Sequence, residues 1–364
     1  MPEWSRIHQE RRLGPWTFPL AFCSFIYGMA VQLRLTGYQA GIFRQESLSG
    51  FVVSVGNLTS GGTGKTPAVI MLARWAVDRG LRPVVLSRGY GVPLSGREVR
   101  EVSDGQGRTV EIGMAGDEPS LIAREVPGVP VVISHRRYDA GLYASKRFGS
   151  QFFILDDGFQ HIQLKRDLNL ALMDAADPFG NGRLLPWGPL REPASQLKRA
   201  DAVILTRAGR HVMASADRTG AVAWLEERFP RIPVFYADHE PDRLIFPFTR
   251  RVCTPNYLKD RRVVGFAGIA CPERFKKTLL ELGARVIDFK GFRDHYRFER
   301  KDVERLIHIK ETVGADYLVT TEKDWMRASL VAPPCPELGC LCIRFRLLSG
   351  GEEIFRMIQD GLQK

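Results

Sequence analysis

Apolar and polar positions follow one another along the chain in blocks that predict buried strands followed by helices. The run FVVSVGN at residues 51–57 is apolar and rich in β-branched residues, which is typical of a strand buried on both faces. The next segment, TPAVIMLARWAVDRG, has apolar residues at helical spacing, and Gly80 provides a C-terminal stop. Because this order recurs, the chain is predicted to be an α/β protein with parallel strands covered by helices.

Later parts of the chain continue the alternation. Further strands are predicted in RPVVLSRGYG, QFFILD, ADAVILT, RVVGFAG, ARVIDFKGF and ADYLVTT, and further helices in PERFKKTLLELG and RKDVERLIHIKETVG. The strand ADAVILT closes a first unit near residue 208. The stretches PVFYADHEPDRLIFPF and RRVCTPNYL are β-like and suit a two-stranded linker.

The N-terminal segment is the longest uncharged stretch, since no charged residue lies between Arg12 and Arg34. As a helix it would be ~32 Å long, close to the ~30 Å thickness of a hydrocarbon layer. A signal peptide, a membrane-spanning helix, a core helix and a helix lying in the membrane surface all remain open. Pro15 and Pro19 argue against a spanning helix, as do basic residues on both flanks.

A surface helix fits the pattern best. Small or polar residues recur at steps of four and seven in Thr17, Ser24, Gly28 and Gln32, and aromatic and apolar residues occupy the rest. Such a helix buries its apolar side among acyl chains while flanking arginines meet lipid phosphates. We therefore expect membrane association that is peripheral or shallowly inserted.

Charge and cysteine content limit the partners and the compartment. The formal net charge of +11 favours anionic partners, but the basic residues are scattered in pairs, so no nucleic-acid partner is expected. The 6 cysteines contain no C-x-x-C pair, which favours free thiols in a reducing compartment over a disulfide framework or a metal site. No obligate protein partner is evident.

The stretch SVGNLTSGGTGKTP, Ser54–Pro67, joins the first predicted strand to its helix and ends in Gly-Lys-Thr. Backbone N–H groups at such a turn point at an anion, and Lys65 can reach the β- and γ-phosphates of a nucleotide. The usual first glycine is replaced by Thr59, and Ser60 stands where switch ATPases carry an extra lysine. The predicted ATP-binding residues are Thr59, Ser60, Gly61, Gly62, Thr63, Gly64, Lys65 and Thr66.

A pair of acidic residues provides the second element of a nucleotide site. Asp156 and Asp157 end the apolar run QFFIL, where an acidic residue meets Mg²⁺ directly or through water. The hydroxyl of Thr66 is the other predicted metal ligand. A turn or a helix cap is the structural alternative for the Asp pair.

At this point the motifs resemble one family. The stretches SVGNLTSGGTGKTP, SRGYG, GDEP, DDGFQH, GRLLPWGPLRE, FAGIACPERF and DHYRF occur in this order and are similar to those of the tetraacyldisaccharide 4'-kinases, the lipid A 4'-kinases of Gram-negative bacteria. The resemblance covers about residues 16–327. It implies transfer of the γ-phosphate of ATP, with Mg²⁺, to the 4'-hydroxyl of a tetraacylated disaccharide 1-phosphate at the cytoplasmic face of the inner membrane, forming lipid IVA.

The resemblance also implies a fold. We expect two α/β/α sandwich units, the larger a P-loop kinase-type domain, joined by a short β-ribbon linker and preceded by a membrane-associated helix. The expected boundaries are residues 1–36 for the helix, 37–230 for the nucleotide-binding domain, 231–262 for the linker and 263–364 for the smaller domain.

By the same resemblance, Asp117 of GDEP acts as the base, paired with His295 of DHYRF, and Lys65 completes the catalytic set. From the residues alone, Asp117 is equally a helix cap and His295 a surface residue. Because the two lie in different expected domains, their pairing would require those domains to face each other. The predicted substrate-binding residues are Asn57, Arg88, Arg137, Gln160, His161, Arg191 and Glu192.

Two competing functions stay open at this stage. One is a P-loop kinase for another amphiphilic sugar or isoprenoid alcohol, and the other is a membrane-docked ATPase switch that binds a partner protein. The missing switch lysine argues against the second.

Overall fold

The structure, a computed structural model, describes residues 17–209 and 218–363. Internal contacts divide the chain into two compact units. The first unit comprises the chain up to Thr109, Val126–Asp238 and Phe345–Lys364. The second unit comprises Val110–Glu125 and His239–Arg344.

Strands and helices alternate through most of the described chain. The strands are β1 (Phe51–Asn57), β2 (Pro83–Ser87), β3 (Arg100–Ser103), β4 (Val131–Ile133), β5 (Phe152–Asp156), β6 (Leu168–Asp174), β7 (Ala202–Thr206), β8 (Val234–Phe246), β9 (Arg251–Cys253), β10 (Arg262–Ala267), β11 (Arg285–Gly291), β12 (Tyr317–Thr321) and β13 (Leu338–Ser349). The α-helices are α1 (Phe18–Gln39), α2 (Lys65–Asp78), α3 (Ile112–Ala115), α4 (Asp117–Glu125), α5 (Arg137–Phe148), α6 (Arg218–Arg228), α7 (Pro272–Glu281), α8 (Arg300–Thr312), α9 (Glu322–Ala328) and α10 (Gly351–Leu362). Short 3₁₀ helices lie at Ala194–Arg199 and Pro255–Leu258.

The first unit is built around β1. Its strands lie in the order β8-β7-β6-β1-β5-β2-β4-β3, and neighbours are parallel except for β3 and β4. Every residue of β1 is buried, as expected for a central strand covered on both faces. The register sets Val55 beside Asp156, so β1 and β5 end at the same edge of the sheet. Ligands of open α/β sheets bind at this carboxyl edge.

The second unit repeats the pattern on a smaller scale. Strands β11, β10, β12 and β13 are neighbours in that order and run parallel. Phe266, Leu318 and Leu338 are fully buried in its core. The end of β8 pairs antiparallel with β9 from Leu244 opposite Cys253 to Phe246 opposite Arg251, which is a ribbon within the predicted linker range.

Two segments belong to a different unit from the one predicted. Val110–Glu125 was expected in the nucleotide-binding domain and lies in the second unit, while Phe345–Lys364 was expected in the smaller domain and lies in the first. Both assignments depend on which distant surface a helix packs against, and periodicity within the helix does not encode that choice. The sequence predicts a turn after the strand ADYLVTT, but the residues that follow Thr321 form the helix α9.

The N-terminal helix α1 packs against the first unit along one stripe. Ser24 donates a hydrogen bond to the carbonyl oxygen of Leu184 (2.8 Å), and Tyr27 donates one to that of Arg191 (2.8 Å). Val31 and Leu35 are buried and complete the stripe. Of the small or polar residues of the predicted stripe, Thr17 and Ser24 are buried, Gly28 is half-buried and Gln32 is exposed.

The opposite side of α1 is apolar and exposed. Its exposed large side chains are Phe18, Phe22, Phe25, Ile26, Met29 and Leu33. With 22 residues and a mean hydropathy of 1.4 in its most apolar window, α1 is long and apolar enough to cross a membrane. Only 17% of that window is buried, so packing on the first unit does not account for its apolar character.

Candidate active site

The phosphate loop connects β1 to α2, as the sequence predicts. Gly64 precedes the helix with a φ of 88° and Gly61 has a φ of 128°, values that disfavour any residue with a side chain. A Cβ atom built at Gly61 would meet nothing within 4 Å, so the space beside the loop is open. Lys65 and Thr66 begin the helix, where unpaired N–H groups attract an anion.

Lys65 is held at the loop by two oxygen ligands. Its Nζ donates to Oδ1 of Asn57 (3.0 Å) and lies 3.3 Å from Oδ1 of Asp157. Asn57 is fully buried, and its Nδ2 donates to the carbonyl oxygens of Thr59 (2.8 Å) and Gly61 (3.4 Å). Asn57, predicted as a substrate contact, thus fixes the shape of the loop and the position of Lys65.

Asp157, at the end of β5, forms ion pairs with Lys65 and Arg191. Arg191 Nη1 donates to both of its carboxylate oxygens, at 3.0 and 2.8 Å, opposite Lys65. Burial opposes ionisation of Asp157, but the charges of Lys65 and Arg191 outweigh it and hold its pKa well below the usual range. The carboxylate is therefore ionised at neutral pH and neutralises two cations that lie beside the phosphate loop.

Asp156 and Thr66 are among the residues that the sequence predicts as metal ligands. Asp156 is 1% exposed, and its Oδ2 accepts a hydrogen bond from the hydroxyl of Ser87 (2.9 Å), at the end of the neighbouring strand β2. Carboxylate and hydroxyl oxygens are the hard ligands that Mg²⁺ prefers, and Mg²⁺ in nucleotide sites takes only one or two carboxylates. The donor set therefore fits Mg²⁺, although Asp157 is already engaged by Lys65 and Arg191.

Arg88, Arg137, Gln160 and His161 form a polar cluster in the first unit. Gln160 Nε2 donates to the carbonyl oxygen of Asn57 (2.8 Å), which ties the cluster to the phosphate loop. Buried Oε1 of Gln160 and Nε2 of His161 have no hydrogen-bond partner within residues 17–209 and 218–363. Unpaired buried polar atoms are rare in folded proteins and point to a ligand or water.

The cluster has a net positive field. Burial and, to a smaller extent, the charges of Arg137, Arg166, Arg88 and Arg34 together lower the pKa of His161 to about 3. Burial likewise lowers the pKa of Arg137 to about 10. His161 is thus a neutral imidazole beside fixed cations, a setting that favours an anionic or hydroxyl-bearing ligand.

Glu192 has a different environment from its neighbour Arg191. Its carboxylate is 1% exposed and forms ion pairs with Arg34 of α1 (2.7 Å) and with Arg199. Both oxygens of Glu192 are engaged in this buried pairing. Glu192, predicted as a substrate contact, thus anchors α1 to the loop that carries Arg191.

Asp117 and His295 lie together in the second unit. Asp117 opens α4, and its Oδ2 is 3.6 Å from Nδ1 of His295. The expectation that Asp117 belongs to the nucleotide-binding domain, and that the pair forms across two domains, is therefore wrong, because Val110–Glu125 belongs to the second unit. Separations of this kind in ligand-free enzymes shorten when substrate binds.

The backbone at His295 is unusual. Its φ of 56° lies in the left-handed region, which non-glycine residues seldom adopt. The conformation is held by hydrogen bonds from its N–H to the carbonyl oxygen of Gly268 (3.1 Å) and to Oδ1 of Asp294 (3.0 Å). Such local strain is concentrated at functional sites.

Arg327 and Lys323, both on α9, also face α4. Arg327 Nε lies 3.1 Å from Oδ2 of Asp117, and Lys323 Nζ donates to Oε1 of Glu118 (2.7 Å). Burial raises the pKa of Asp117, but the hydrogen bond with His295 and the charges of Arg327 and Lys323 leave it below its ordinary value. Asp117 is therefore an ionised carboxylate able to accept a proton.

Sequence reasoning missed Arg207 and Arg327. Arg207 follows β7 and donates to Oδ2 of Asp174 (2.8 Å) and to the carbonyl oxygen of Gly62 in the phosphate loop (2.5 Å). Arg207 directly follows a predicted buried strand, and residues at the carboxyl ends of such strands are where ligands bind, so its position in the sequence could have identified it. Arg327 carries no such signal, because α9 was expected to be a turn.

Comparisons with known proteins point to one family. The family model described as tetraacyldisaccharide-1-P 4'-kinase matches residues 16–361. A protein of Syntrophus aciditrophicus named tetraacyldisaccharide 4'-kinase is 41% identical over 341 residues, which cover 91% of each chain. One of Geobacter metallireducens with the same name is 46% identical over 312 residues, covering 84% of this chain and 86% of that protein.

A solved structure extends the likeness to three dimensions. The crystal structure of LpxK from Aquifex aeolicus in complex with ATP has a TM-score of 0.74 and 32% sequence identity, covering 95% of this chain and 98% of that one. The identity is high enough, and the coverage complete enough, for the match to extend beyond the fold. This chain belongs to the tetraacyldisaccharide-1-P 4'-kinase family.

Proposed function

We propose that this protein is an ATP-dependent kinase that phosphorylates the 4'-hydroxyl of a tetraacyldisaccharide 1-phosphate in lipid A biosynthesis. The observation that carries the proposal is the family match over residues 16–361, which includes both the phosphate loop and the Asp117–His295 pair. A bare glycine turn would account for the loop and a helix cap for Asp117, but these structural roles do not explain why the phosphate loop and the Asp117–His295 pair occur in one chain.

In the first unit, the loop from Thr59 to Thr66 binds the triphosphate of ATP through its N–H groups. Lys65 neutralises charge on the transferring phosphoryl group, and Arg191, which pairs with the same Asp157 carboxylate (2.8 Å), adds a second positive charge beside Lys65. Asp156 and Thr66 would hold Mg²⁺, which supplies further charge neutralisation when bound. Transfer of this kind depends on positioning and electrostatics more than on covalent help from the protein.

In the second unit, Asp117 accepts the proton of the acceptor hydroxyl. As the bond from the 4'-oxygen to the γ-phosphorus forms, the bond from that phosphorus to the β,γ-bridging oxygen breaks and ADP leaves. His295 orients the carboxylate and shares its charge. The low pKa of Asp117 ensures that the carboxylate is free to take the proton at neutral pH.

The acceptor is a polar disaccharide with a phosphate, and Arg88, Arg137, Gln160 and His161 have the chemistry to bind it. Their fixed positive charge suits the 1-phosphate, and the unpaired atoms of Gln160 and His161 suit sugar hydroxyls. All four lie in the unit that carries the phosphate loop.

The acyl chains of the acceptor require a membrane surface. One stripe of α1 is hydrogen-bonded and ion-paired to the first unit through Ser24, Tyr27 and Arg34. A helix attached to protein along its length is not surrounded by lipid on all sides, so we infer that α1 lies in the surface of the inner membrane on its cytoplasmic face, where ATP is available.

The direct test supplies purified protein with labelled ATP, Mg²⁺ and the lipid disaccharide 1-phosphate in detergent, and locates the new phosphate on the product. We expect label at the 4'-position and negligible ATP hydrolysis without acceptor. A switch ATPase would hydrolyse ATP without acceptor, and a kinase for another amphiphile would leave the disaccharide unlabelled.

The same assay tests the base. Asp117→Asn should lower kcat by about 100-fold or more, because a general base contributes roughly 10²–10⁴-fold. ATP binding, measured by calorimetry, should persist. Glu304→Gln, at an exposed position on α8, is the matched control and should retain full activity. Full kcat in Asp117→Asn would refute the assignment of Asp117 as base.

A further inference from the structure

Arg327 lies at the centre of a buried network around Asp117. Its side chain is 6% exposed, and its guanidinium reaches two carboxyl groups: Nε is 3.1 Å from Oδ2 of Asp117, and Nη2 is 3.2 Å from Oδ1 of Asp324. Asp324 is itself fully buried and is fixed at the start of α9 by Thr321, whose hydroxyl donates to its Oδ2 (2.6 Å). The position of the Arg327 guanidinium is therefore fixed by a buried carboxylate that is itself hydrogen-bonded.

The same guanidinium also contacts the loop that carries His295. Nη1 donates to the carbonyl oxygens of Tyr296 (3.2 Å) and Gly268 (3.4 Å). The carbonyl oxygen of Gly268 also accepts the hydrogen bond from the N–H of His295. One planar group thus connects the carboxylate of Asp117 to Gly268, whose carbonyl oxygen helps to hold the strained backbone at His295, and to Tyr296, the next residue in that loop.

We propose that Arg327 is the positioning residue of the Asp117–His295 pair: it holds the carboxylate at the imidazole and holds the loop that presents the imidazole. This inference rests on the proposed function, since it gives Arg327 its role through Asp117. Arg327 acts through Asp117 and the His295 loop and does not itself touch the reacting atoms. Its planar guanidinium forms ion pairs with two carboxylates and hydrogen bonds to two carbonyl oxygens at once, which the single ammonium of lysine does not reproduce.

A second consequence is electrostatic. The charged groups facing Asp117 are His295, Arg327 and Lys323; Lys323 is shared with Glu118, and Arg327 with Asp324. Removing Arg327 takes away one of the charges that keep the pKa of Asp117 below its ordinary value, while the burial that raises it stays. The pKa of Asp117 then rises, so more of it is protonated on the acid side and the acidic limb of the pH–rate profile moves to higher pH.

The test uses the full-length protein with Arg327→Lys and Arg327→Met. Because a lone buried Asp324 would destabilise Arg327→Met, the double variant Arg327→Met/Asp324→Asn accompanies it. We expect kcat with ATP and the lipid acceptor to fall about 10- to 100-fold, the size of effect expected from a small misplacement of a catalytic group. KM for ATP should stay within about twofold. The acidic limb of the pH–rate profile should move to higher pH in Arg327→Met and in the double variant. The shift should be smaller in Arg327→Lys.

The matched control is Arg300→Met, which removes an arginine from an exposed ion pair on α8 (2.8 Å to Glu304) and should change neither kcat nor the profile. A residue that only stabilised the fold would lower the active fraction equally at every pH and leave the limb in place. An unshifted limb in the folded double variant, or unchanged kcat in Arg327→Lys and Arg327→Met, would overturn the inference.

A double-mutant cycle separates this inference from the proposed function. In the background of Asp117→Asn, Arg327→Lys should have little further effect on kcat, because both changes remove the same arrangement. Additive losses would refute the coupling while leaving Asp117 as base. Full kcat in Asp117→Asn alone would remove the base assignment and this inference with it.

Discussion

At the scale of single residues, charge and burial divide the polar side chains of the first unit into distinct tasks. Asp157 is ionised because Lys65 and Arg191 outweigh its burial, whereas His161 stays neutral because burial and nearby arginines act in the same direction. Asn57 and Glu192 use their side chains to hold the protein together. Residue type alone does not distinguish these tasks, since each residue is a common ligand.

The neutral state of His161 gives a pH prediction. Its folded pKa of about 3 lies below the ordinary value of ~6.5, so in between the unfolded chain binds a proton that the folded protein does not. The free energy of unfolding should therefore fall with acidification across this window, by at most ~1.4 kcal/mol per pH unit from this group. The groups that face His161 and oppose its protonation are Arg137, Arg166, Arg88 and Arg34.

The measurement is urea denaturation of the wild type and His161→Gln at pH 7 and pH 5. The loss of stability between the two pH values should be smaller in His161→Gln. His308→Gln, at an exposed position on α8, is the control and should behave like the wild type. An equal loss in all three proteins would show that His161 titrates normally.

At the scale of elements, α1 and the phosphate loop both contact one segment, residues 184–191. Ser24 and Tyr27 bond to the carbonyl oxygens of Leu184 and Arg191. The same segment meets the loop, since Ser60 N–H donates to Pro189 (2.6 Å) and Arg191 N–H donates to Leu58 (2.7 Å). The helix α1 is thus one segment away from the phosphate loop.

This connection depends on close approach at Gly28. A Cβ there would lie 2.9 Å from Cδ1 of Leu184, a contact that a small shift of that methyl relieves but a larger side chain does not. Gly28→Leu should therefore break the contact between α1 and the segment. We expect Tm to fall by several degrees, because a loss of 1 kcal/mol lowers the Tm of a large domain by ~2–4 °C. We also expect KM for ATP to rise a few-fold.

Thermal unfolding and steady-state kinetics measure both effects. Gly28→Ala is the matched control, because alanine fits and favours the helix by up to ~1 kcal/mol, and its KM should stay at the wild-type value. Wild-type Tm and KM in Gly28→Leu would contradict a tight contact.

At the scale of the whole molecule, a basic protein carries one apolar helix face that its own core does not cover. The net charge of +11 favours anionic lipid headgroups, and Phe22 and Phe25 are 60% and 64% exposed. Fully burying an aromatic side chain of this size contributes ~1.5–3 kcal/mol. The chain thus combines both of the features that favour binding to a membrane surface.

Phe25→Glu should weaken binding to anionic vesicles by about tenfold or more, because it places a charge where the proposed membrane contact would bury an apolar side chain. Vesicle flotation measures this, and KM for the vesicle-borne lipid should rise in parallel while KM for ATP stays constant. Gln151→Glu adds the same charge at an exposed position of the first unit and should bind like the wild type. Unchanged flotation of Phe25→Glu would rule out α1 as the membrane contact.

Local sequence alone determined the phosphate loop, its flanking strand and helix, and the acidic end of β5, because strand, turn and helix signals there lie within a few residues of one another. It also indicated the family, through motifs in a fixed order. The terminal strand β13 and helix α10 were missed, since no motif marks them.

Only the tertiary structure decided that Asp117 shares a unit with His295 and that Glu192 anchors α1. It also decided that Arg327 contacts both Asp117 and the loop that carries His295. The contacts of Asp117 with His295 and Arg327, and that of Arg34 with Glu192, each join residues more than a hundred positions apart in the chain. Periodicity and propensity describe a segment's own preferences, whereas such contacts are selected by burial and by the pairing of charges once distant segments have packed together.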